Sequence, residues 1–232
     1  MDRHDHPAGH PARVTARGDA MAAVVAAMDR LRSPGGCPWD AEQTHRSLAP
    51  YAVEEAFELA EAAESDDRDA LRGELGDLLL QVLFHARVAE EHPSDPFDLD
   101  DVAQVLLDKL VRRHPHVFAE ADDVTSAADV EAAWHEIKKR ERTGEDVLAG
   151  IPLALPALAR AQKVTRRLRR EGTADDALLG GDSSPAVVDE EAALGRELMG
   201  LVLRAEAAGV DAEAALRAHL RTLQDARGQG PS

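Results

Sequence analysis

The chain has 232 residues, 44% of them hydrophobic but only 3% aromatic, and a formal net charge of −17. That charge argues against a nucleic-acid backbone binder, whose electrostatic footprint is basic, although a small phosphate ligand stays accessible if a divalent cation bridges it to the protein. A single cysteine, Cys37, excludes an intrachain disulfide, and no apolar run of about 18 residues or signal-peptide core is present, so the expectation is a soluble, cytoplasmic protein without a membrane partner.

In chain order, residues 1–17 carry His4, His6 and His10 among Pro, Gly, Asp and Arg and read as a disordered leader. A helix follows from about Asp19 to Arg32, with Met21, Val24, Val25, Met28 and Leu31 on one face. Residues Ser33 to Asp40 are rich in Pro and Gly and read as a loop. A second helix is expected to start between Ser47 and Pro50, with the proline in its first turn, and to run to about Glu64. Asp66 or Asp67 caps a third, running to about Glu91. His92-Pro93 and Pro96 break the chain, and Asp98 caps a fourth helix with Leu99, Val102, Leu106 and Leu110 as its stripe, ending before Pro115. A fifth helix is expected over Ser126 to Arg142 and a sixth over Pro156 to Glu171, stopped by Gly172. A linker rich in Asp, Gly and Ser spans 173–187, and two more helices, about 188–208 and 212–227, are separated by Gly209. No alternating strand pattern occurs, so the fold class is all-α: a main helical domain over 18–172 and a helical C-terminal appendage over 188–232.

The third helix is the informative one. At about 100° per residue, Glu74, Asp77, Gln81 and His85 fall in a narrow arc, and Leu75, Leu78, Leu79, Leu80, Val82, Leu83 and Phe84 occupy the rest. A helix apolar almost all round is expected to be buried. Buried carboxylates are costly unless they are paired or hold a metal. The second helix carries Glu54, Glu55 and Glu58. Glu55 and Glu58 share a face, as do Glu74 and Asp77. A short connection makes the two helices antiparallel neighbours, so the pairs can converge. Two like charges about 4 Å apart repel by roughly 4 kcal/mol at an effective dielectric of 20, so four carboxylates need cations. Hard oxygen ligands suit Mg²⁺, with Mn²⁺ possible, over Zn²⁺. A carboxylate-bound Mg²⁺ cluster can grip a polyphosphate and activate water, which points to phosphoanhydride hydrolysis. Read alone, the Glu54 to Glu61 stretch is equally an ordinary solvated face.

Lys109, Arg112 and Arg113 end the fourth helix, where they either complement the helix dipole or clamp phosphates. Trp134 and Lys138 are four apart on the fifth helix; Trp134 is either core or a stacking platform for a base, with Lys138 meeting a phosphate. An internal echo appears in the appendage. Leu75-Gly76, Leu79, Phe84 and Ala86 recur as Leu194-Gly195, Leu198, Leu203 and Ala205, but Ala193 and Arg196 stand where Glu74 and Asp77 would be.

An ordered series of motifs resembles the MazG family of all-α nucleoside triphosphate pyrophosphohydrolases. It comprises Cys37-Pro-Trp-Asp40 with Gln43-Thr44, Tyr51-x-x-Glu54-Glu55-x-x-Glu58, Arg72-Gly-Glu74-Leu-Gly-Asp77-Leu-Leu, Lys109-Leu-Val-Arg-Arg-His-Pro-His-Val-Phe118, Trp134-x-x-Ile-Lys138, Ile151-Pro-x-x-Leu-Pro156 and Ala161-Gln-Lys163. The resemblance implies a MazG-like helical bundle completed by dimerisation, and Mg²⁺-dependent conversion of a nucleoside triphosphate to monophosphate and pyrophosphate, in nucleotide-pool sanitation with broad or non-canonical substrates. It implies Glu55, Glu58, Glu74 and Asp77 as metal ligands, with Glu54 either supporting those ligands from behind or helping to position the water. Lys109, Arg112 and Arg113 would lie on the phosphate side, Trp134 and Lys138 on the nucleotide side. The implied assembly is a homodimer or higher. Residues 188–228 look like the end of a second repeat without its carboxylates, which gives the expectation of one active site per chain. The competing readings are a narrow dUTP- or dCTP-type pyrophosphohydrolase and a non-catalytic helical dimer that binds a nucleotide or protein partner.

Overall fold

The computed structural model describes residues 17–118, 126, 129–130, 133–134, 137, 141, 146–180 and 190–228. Every regular element among them is helical, as the sequence leads one to expect. The leader and most of the expected fifth helix lie outside the described residues. The chain divides into two compact units, Met1–His135 and Glu136–Ser232.

The first unit contains α1 (Arg17–Arg32), α2 (Pro38–Glu42), α3 (His45–Glu64), α4 (Arg68–Ala89), α5 (Leu99–Arg113) and α6 (Pro115–Phe118). The α3–α4 hairpin is its most extensive helix pair. Its core is Met28, Leu48, Leu83 and Phe84, with Leu79, Val88 and Leu99 packed against it. Caps set the boundaries. Asp67 accepts from the backbone N–H groups of Asp69 and Ala70 at 2.9 and 3.0 Å and starts α4. Asp98 and Asp101 form a reciprocal capping box that starts α5. Between α3 and α4, Asp66 adopts φ 59°, a left-handed conformation that aspartate tolerates better than most residues.

Two boundaries differ from the sequence reading. The Ser33–Asp40 loop closes into the short helix α2, with Pro38 in its first turn. Helix α3 starts at His45, earlier than the expected start between Ser47 and Pro50, because Thr44 and Ser47 form a capping box: Ser47 N–H donates to Thr44 Oγ1 at 3.2 Å and Thr44 N–H to Ser47 Oγ at 2.9 Å. Pro50 therefore sits inside the helix, where its missing N–H removes one hydrogen bond at an exposed position without ending the element.

Arg32 ties the unit together. It is buried, and its guanidinium grips both oxygens of Glu91, Nε to Oε1 at 3.1 Å and Nη2 to Oε2 at 2.7 Å. Its Nη1 donates to the backbone carbonyls of Asp40 and Gln43, and the group lies 5.7 Å above the Phe84 ring. One side chain thus joins the end of α1, the α2 segment and the end of α4.

The second unit contains α7 (Ala157–Arg170), α8 (Asp175–Leu178), α9 (Glu190–Ala207) and α10 (Ala212–Gly228). By contacts, α7 groups with the appendage helices α9 and α10, whereas the sequence places it with the segment 18–172. Within the expected linker, Arg169 holds the short helix α8 through both oxygens of Asp175, at 2.7 and 2.6 Å. Ile151, Val202 and Leu203 are buried here, as is Gln162. Gln162 donates to Glu206 Oε2 at 3.1 Å and to Val210 O at 2.9 Å, and accepts from Ala212 N–H at 2.8 Å. Gln162→Leu leaves that N–H and the Val210 carbonyl without their partner, so a loss of about 1–3 kcal/mol is expected, measured by urea denaturation.

Candidate metal centre

Helices α3 and α4 run antiparallel: the start of α3 meets the far end of α4, and the end of α3 meets the start of α4. At one end, one carboxylate oxygen from each of Glu55, Glu58 and Glu74 lies within 4.8 Å of the other two. At the other end His45 and His85 lie in one plane to within 3°, their Nδ1 atoms 2.8 Å apart. One ring of that pair must donate and the other accept. Burial, and then the neighbouring His45, lower the pKa of His85.

The acidic end brings together residues from both helices. Glu55 and Glu74 are half-buried, Glu58 exposed. Burial raises the Glu55 pKa most, followed by the charges of Asp77, Glu58, Glu74 and Glu54. Burial likewise leads the upward shift of Glu74, followed by Glu58 and Asp77. Asp77 stands outside the tight triple but its charge is felt by both groups. Glu54 is exposed and acts on Glu55 more weakly than the other three. Glu74 Oε2 is buried and has no hydrogen-bond partner among the described residues. A buried oxygen without a donor, on a carboxylate clustered with two others, lacks a positive group. The donor set is hard oxygen throughout, which fits a divalent cation of the Mg²⁺ or Mn²⁺ type.

These shifts have a sign. A carboxylate whose folded pKa is raised holds its proton more tightly folded than unfolded, so its contribution to stability falls as pH rises from the ordinary carboxylate range through the raised value. Cation binding removes the same repulsion and competes with the proton. The rise in melting temperature on adding Mg²⁺ is therefore expected to be larger at pH 7 than at pH 5, by differential scanning calorimetry; an equal rise at both would disconnect the cation from these carboxylates.

The other expected site residues lie on α5, at Trp134 and beyond what is described. Every charge that shifts Glu55 and Glu74 belongs to a carboxylate; Arg112 and Arg113 stand in the last turn of α5, with Lys109 a turn earlier. Trp134 is half-buried with its ring 5.6 Å from that of His114. Lys138 lies outside the described residues. Within the single chain α4 is buried on one side: Gln81, Leu83, Phe84, Ala86 and Ala89 are buried, but Leu75, Leu80 and Val82 are exposed, because α1, α3 and α5 cover only part of the helix.

Sequence reasoning also missed two groupings in the first unit. One is the His45–His85 pair. Its signal is the hairpin register, since His45 precedes Glu55 by ten residues and His85 follows Glu74 by eleven. The other is the edge-on contact of Trp39 with Tyr51 and Phe84, at ring separations of 6.2 and 6.3 Å.

Comparison with known proteins places this hairpin. The MazG nucleotide pyrophosphohydrolase domain matches residues 43–118, which contain all five carboxylates and the basic end of α5. An uncharacterized 26.1 kDa protein in the blaB 3' region of Streptomyces cacaoi is 48% identical over 209 residues, covering 88% of this chain and 79% of that protein. The chain belongs to the MazG family. The nucleoside triphosphate pyrophosphohydrolases of Escherichia coli K12 and Mycobacterium tuberculosis are similar to it at 46% and 47% identity, covering 64% and 67% of this chain. The chain spans 57% and 47% of the length of those two proteins. A crystal structure of a mazG-related protein from Thermotoga maritima is 29% identical, with a TM-score of 0.42, covering 52% of this chain and 98% of that one. No helix among the described residues is long and apolar enough to cross a membrane.

Proposed function

We propose that this MazG-family chain hydrolyses nucleoside triphosphates to the monophosphate and pyrophosphate in a Mg²⁺-dependent reaction, with a broad or non-canonical substrate range that serves to clean the cytoplasmic nucleotide pool. The observation that carries this reading is the convergence of Glu55, Glu58 and Glu74 from two helices, with a buried oxygen of Glu74 lacking a partner. Glu55, Glu58, Glu74 and Asp77 hold the cations. Bound there, Mg²⁺ supplies charge neutralisation for the triphosphate and an acidified water. Glu54, at the exposed edge of the same helix, positions the attacking water and can accept its proton. The water oxygen bonds to the α-phosphorus, the bond from that phosphorus to the oxygen bridging to the β-phosphorus breaks, and pyrophosphate leaves. Lys109, Arg112 and Arg113 receive phosphate charge, and Trp134 and Lys138 the nucleoside side.

The working form is a homodimer or larger. Leu75, Leu80 and Val82 on α4 and Val105, Leu106 and Leu110 on α5 are exposed in the single chain, apolar side chains that a partner can cover. A second copy that covers them completes the bundle.

The experiment is pyrophosphate release from a panel of ribo- and deoxynucleoside triphosphates, with Mg²⁺ and with EDTA. Mg²⁺-dependent release of pyrophosphate together with monophosphate is expected, from several nucleotides. Release from dUTP or dCTP alone would replace broad sanitation with a narrow activity, and no release from folded protein would remove the hydrolase reading.

A further inference from the structure

Helices α4 and α9 bury and expose some corresponding places and differ at others: Leu198 is exposed where Leu79 of α4 packs against the core, and Ala205 is half-buried where Ala86 is buried. With Gly76 set on Gly195, Leu83 and Phe84 of α4 fall on Val202 and Leu203 of α9, and all four are buried. Leu75 and Val82 fall on Leu194 and Leu201, and all four are exposed, between 41% and 57%. The carboxylates are gone from α9, yet its outward leucine row stands without a site to serve. An exposed apolar row of that length on a polar helix marks a surface that is covered in use.

The row has the spacing of a helix–helix seam: Leu194, Leu198, Leu201 and Ala205, at intervals of four, three and four. Leu198, like its two leucine neighbours, is exposed. The seam lies roughly 110° round the helix from Glu206, at 100° per residue. Glu206 faces α7, where it meets Gln162 and Arg166. The seam therefore lies more than a quarter turn from the side that α9 turns to α7. Glu197 and Arg204 lie together on one flank of the seam, both exposed, and neither forms an ion pair among the described residues.

The seam is complementary to itself in one orientation. Two copies of α9 laid antiparallel about the midpoint between Leu198 and Leu201 set Leu198 of one against Leu201 of the other, and Leu194 against Ala205. Glu197 of one copy then falls within about 3 Å, along the axis, of Arg204 of the other, at 1.5 Å rise per residue. The two-fold repeats this contact, so two opposite-charge pairs close the seam. A parallel pair leaves the two charged flanks on opposite sides of the seam, where they do not meet. We infer that α9 is a self-association face, its leucine seam docking antiparallel on the seam of a second copy of this chain and fixed in register by reciprocal Glu197–Arg204 pairs. This inference does not depend on the proposed hydrolysis.

The test is disulfide trapping in the full chain with Cys37→Ser as background. Leu198→Cys and Leu201→Cys are prepared separately, then oxidised alone and as a mixture, with Ala208→Cys as the control; two copies of Ala208 lie about 25 Å apart along the axis in this arrangement. The mixture is expected to give several-fold more covalent dimer than either variant alone, and Ala208→Cys almost none. Glu197→Arg should lower the yield from the mixture, and Glu197→Arg combined with Arg204→Glu should restore it; circular dichroism of each variant reports that the helices are intact. Equal yields from all three positions, a yield from the single variants that matches the mixture, or indifference to charge reversal in folded protein would each overturn the inference.

Discussion

Glu74→Ala is expected to lower Mg²⁺-dependent pyrophosphate release by roughly 100-fold or more while leaving the fold in place. The two halves of that expectation come from the same atom. Glu74 Oε2 is buried without a hydrogen-bond donor, so it contributes little to holding the protein together and much to attracting a cation. Its charge also opposes ionisation of Glu55. Removing it relieves repulsion, so the cation-free variant should melt at the wild-type temperature or above it. Loss of turnover with undiminished thermal stability separates a ligand from a structural residue. Turnover within a few fold of wild type would take Glu74 out of the site, and a large fall in melting temperature would make it a structural residue instead. A non-catalytic module that binds a nucleotide would keep its binding in this variant, which the same preparation can report by calorimetry.

Arg32→Ala should cause the largest loss of stability of any single change considered, about 2–4 kcal/mol, read from urea denaturation. The side chain is 3% exposed and its partner Glu91 46%. Truncation strips two backbone carbonyls and a carboxylate of their shared donor and removes a cation from the face of Phe84. Glu91 retains contact with Arg87 at 3.0 Å and reaches solvent, which keeps the figure below that of a fully buried pair. The hydrogen bond from Arg32, with Arg87 assisting, holds the Glu91 carboxyl below the usual carboxylate range, so the stability it contributes is lost as pH falls from that range through the lowered value. Arg32→Lys should recover only part of the loss, because an ammonium cannot grip both Glu91 oxygens and the carbonyls at once. If Arg32→Ala unfolds at the wild-type urea midpoint, the contacts drawn here are not what holds α2 in place.

The helices were legible in the sequence where a cap residue and an apolar period agree. Asp67 before α4 and Asp98 before α5 are of this kind, since both act on neighbours within three residues. The convergence of the carboxylates was legible too, because a short turn between two helices leaves little choice of arrangement. Composition misled at α2, where Pro38 reads as a breaker yet occupies the first turn, and at α3, where a threonine and a serine outweigh the proline that follows. The Arg32–Glu91 contact joins residues 59 apart in sequence, and no local pattern announces such a pair. The exposed side of α4 was hidden for a different reason: periodicity reports that a face is apolar, not which molecule covers it.

The three-residue turn Ser65–Asp67 has a further consequence. All four proposed cation ligands fall between Glu55 and Asp77, in a single hairpin whose closure costs little chain entropy. Contacts this local carry little loop-closure cost, so the acidic cluster can form without distant parts of the chain. Its mutual repulsion then weighs on the barrier to folding as well as on the finished protein. A divalent cation captured by the hairpin would lower that barrier, and the newly made chain would acquire its site while the rest of the bundle is still closing.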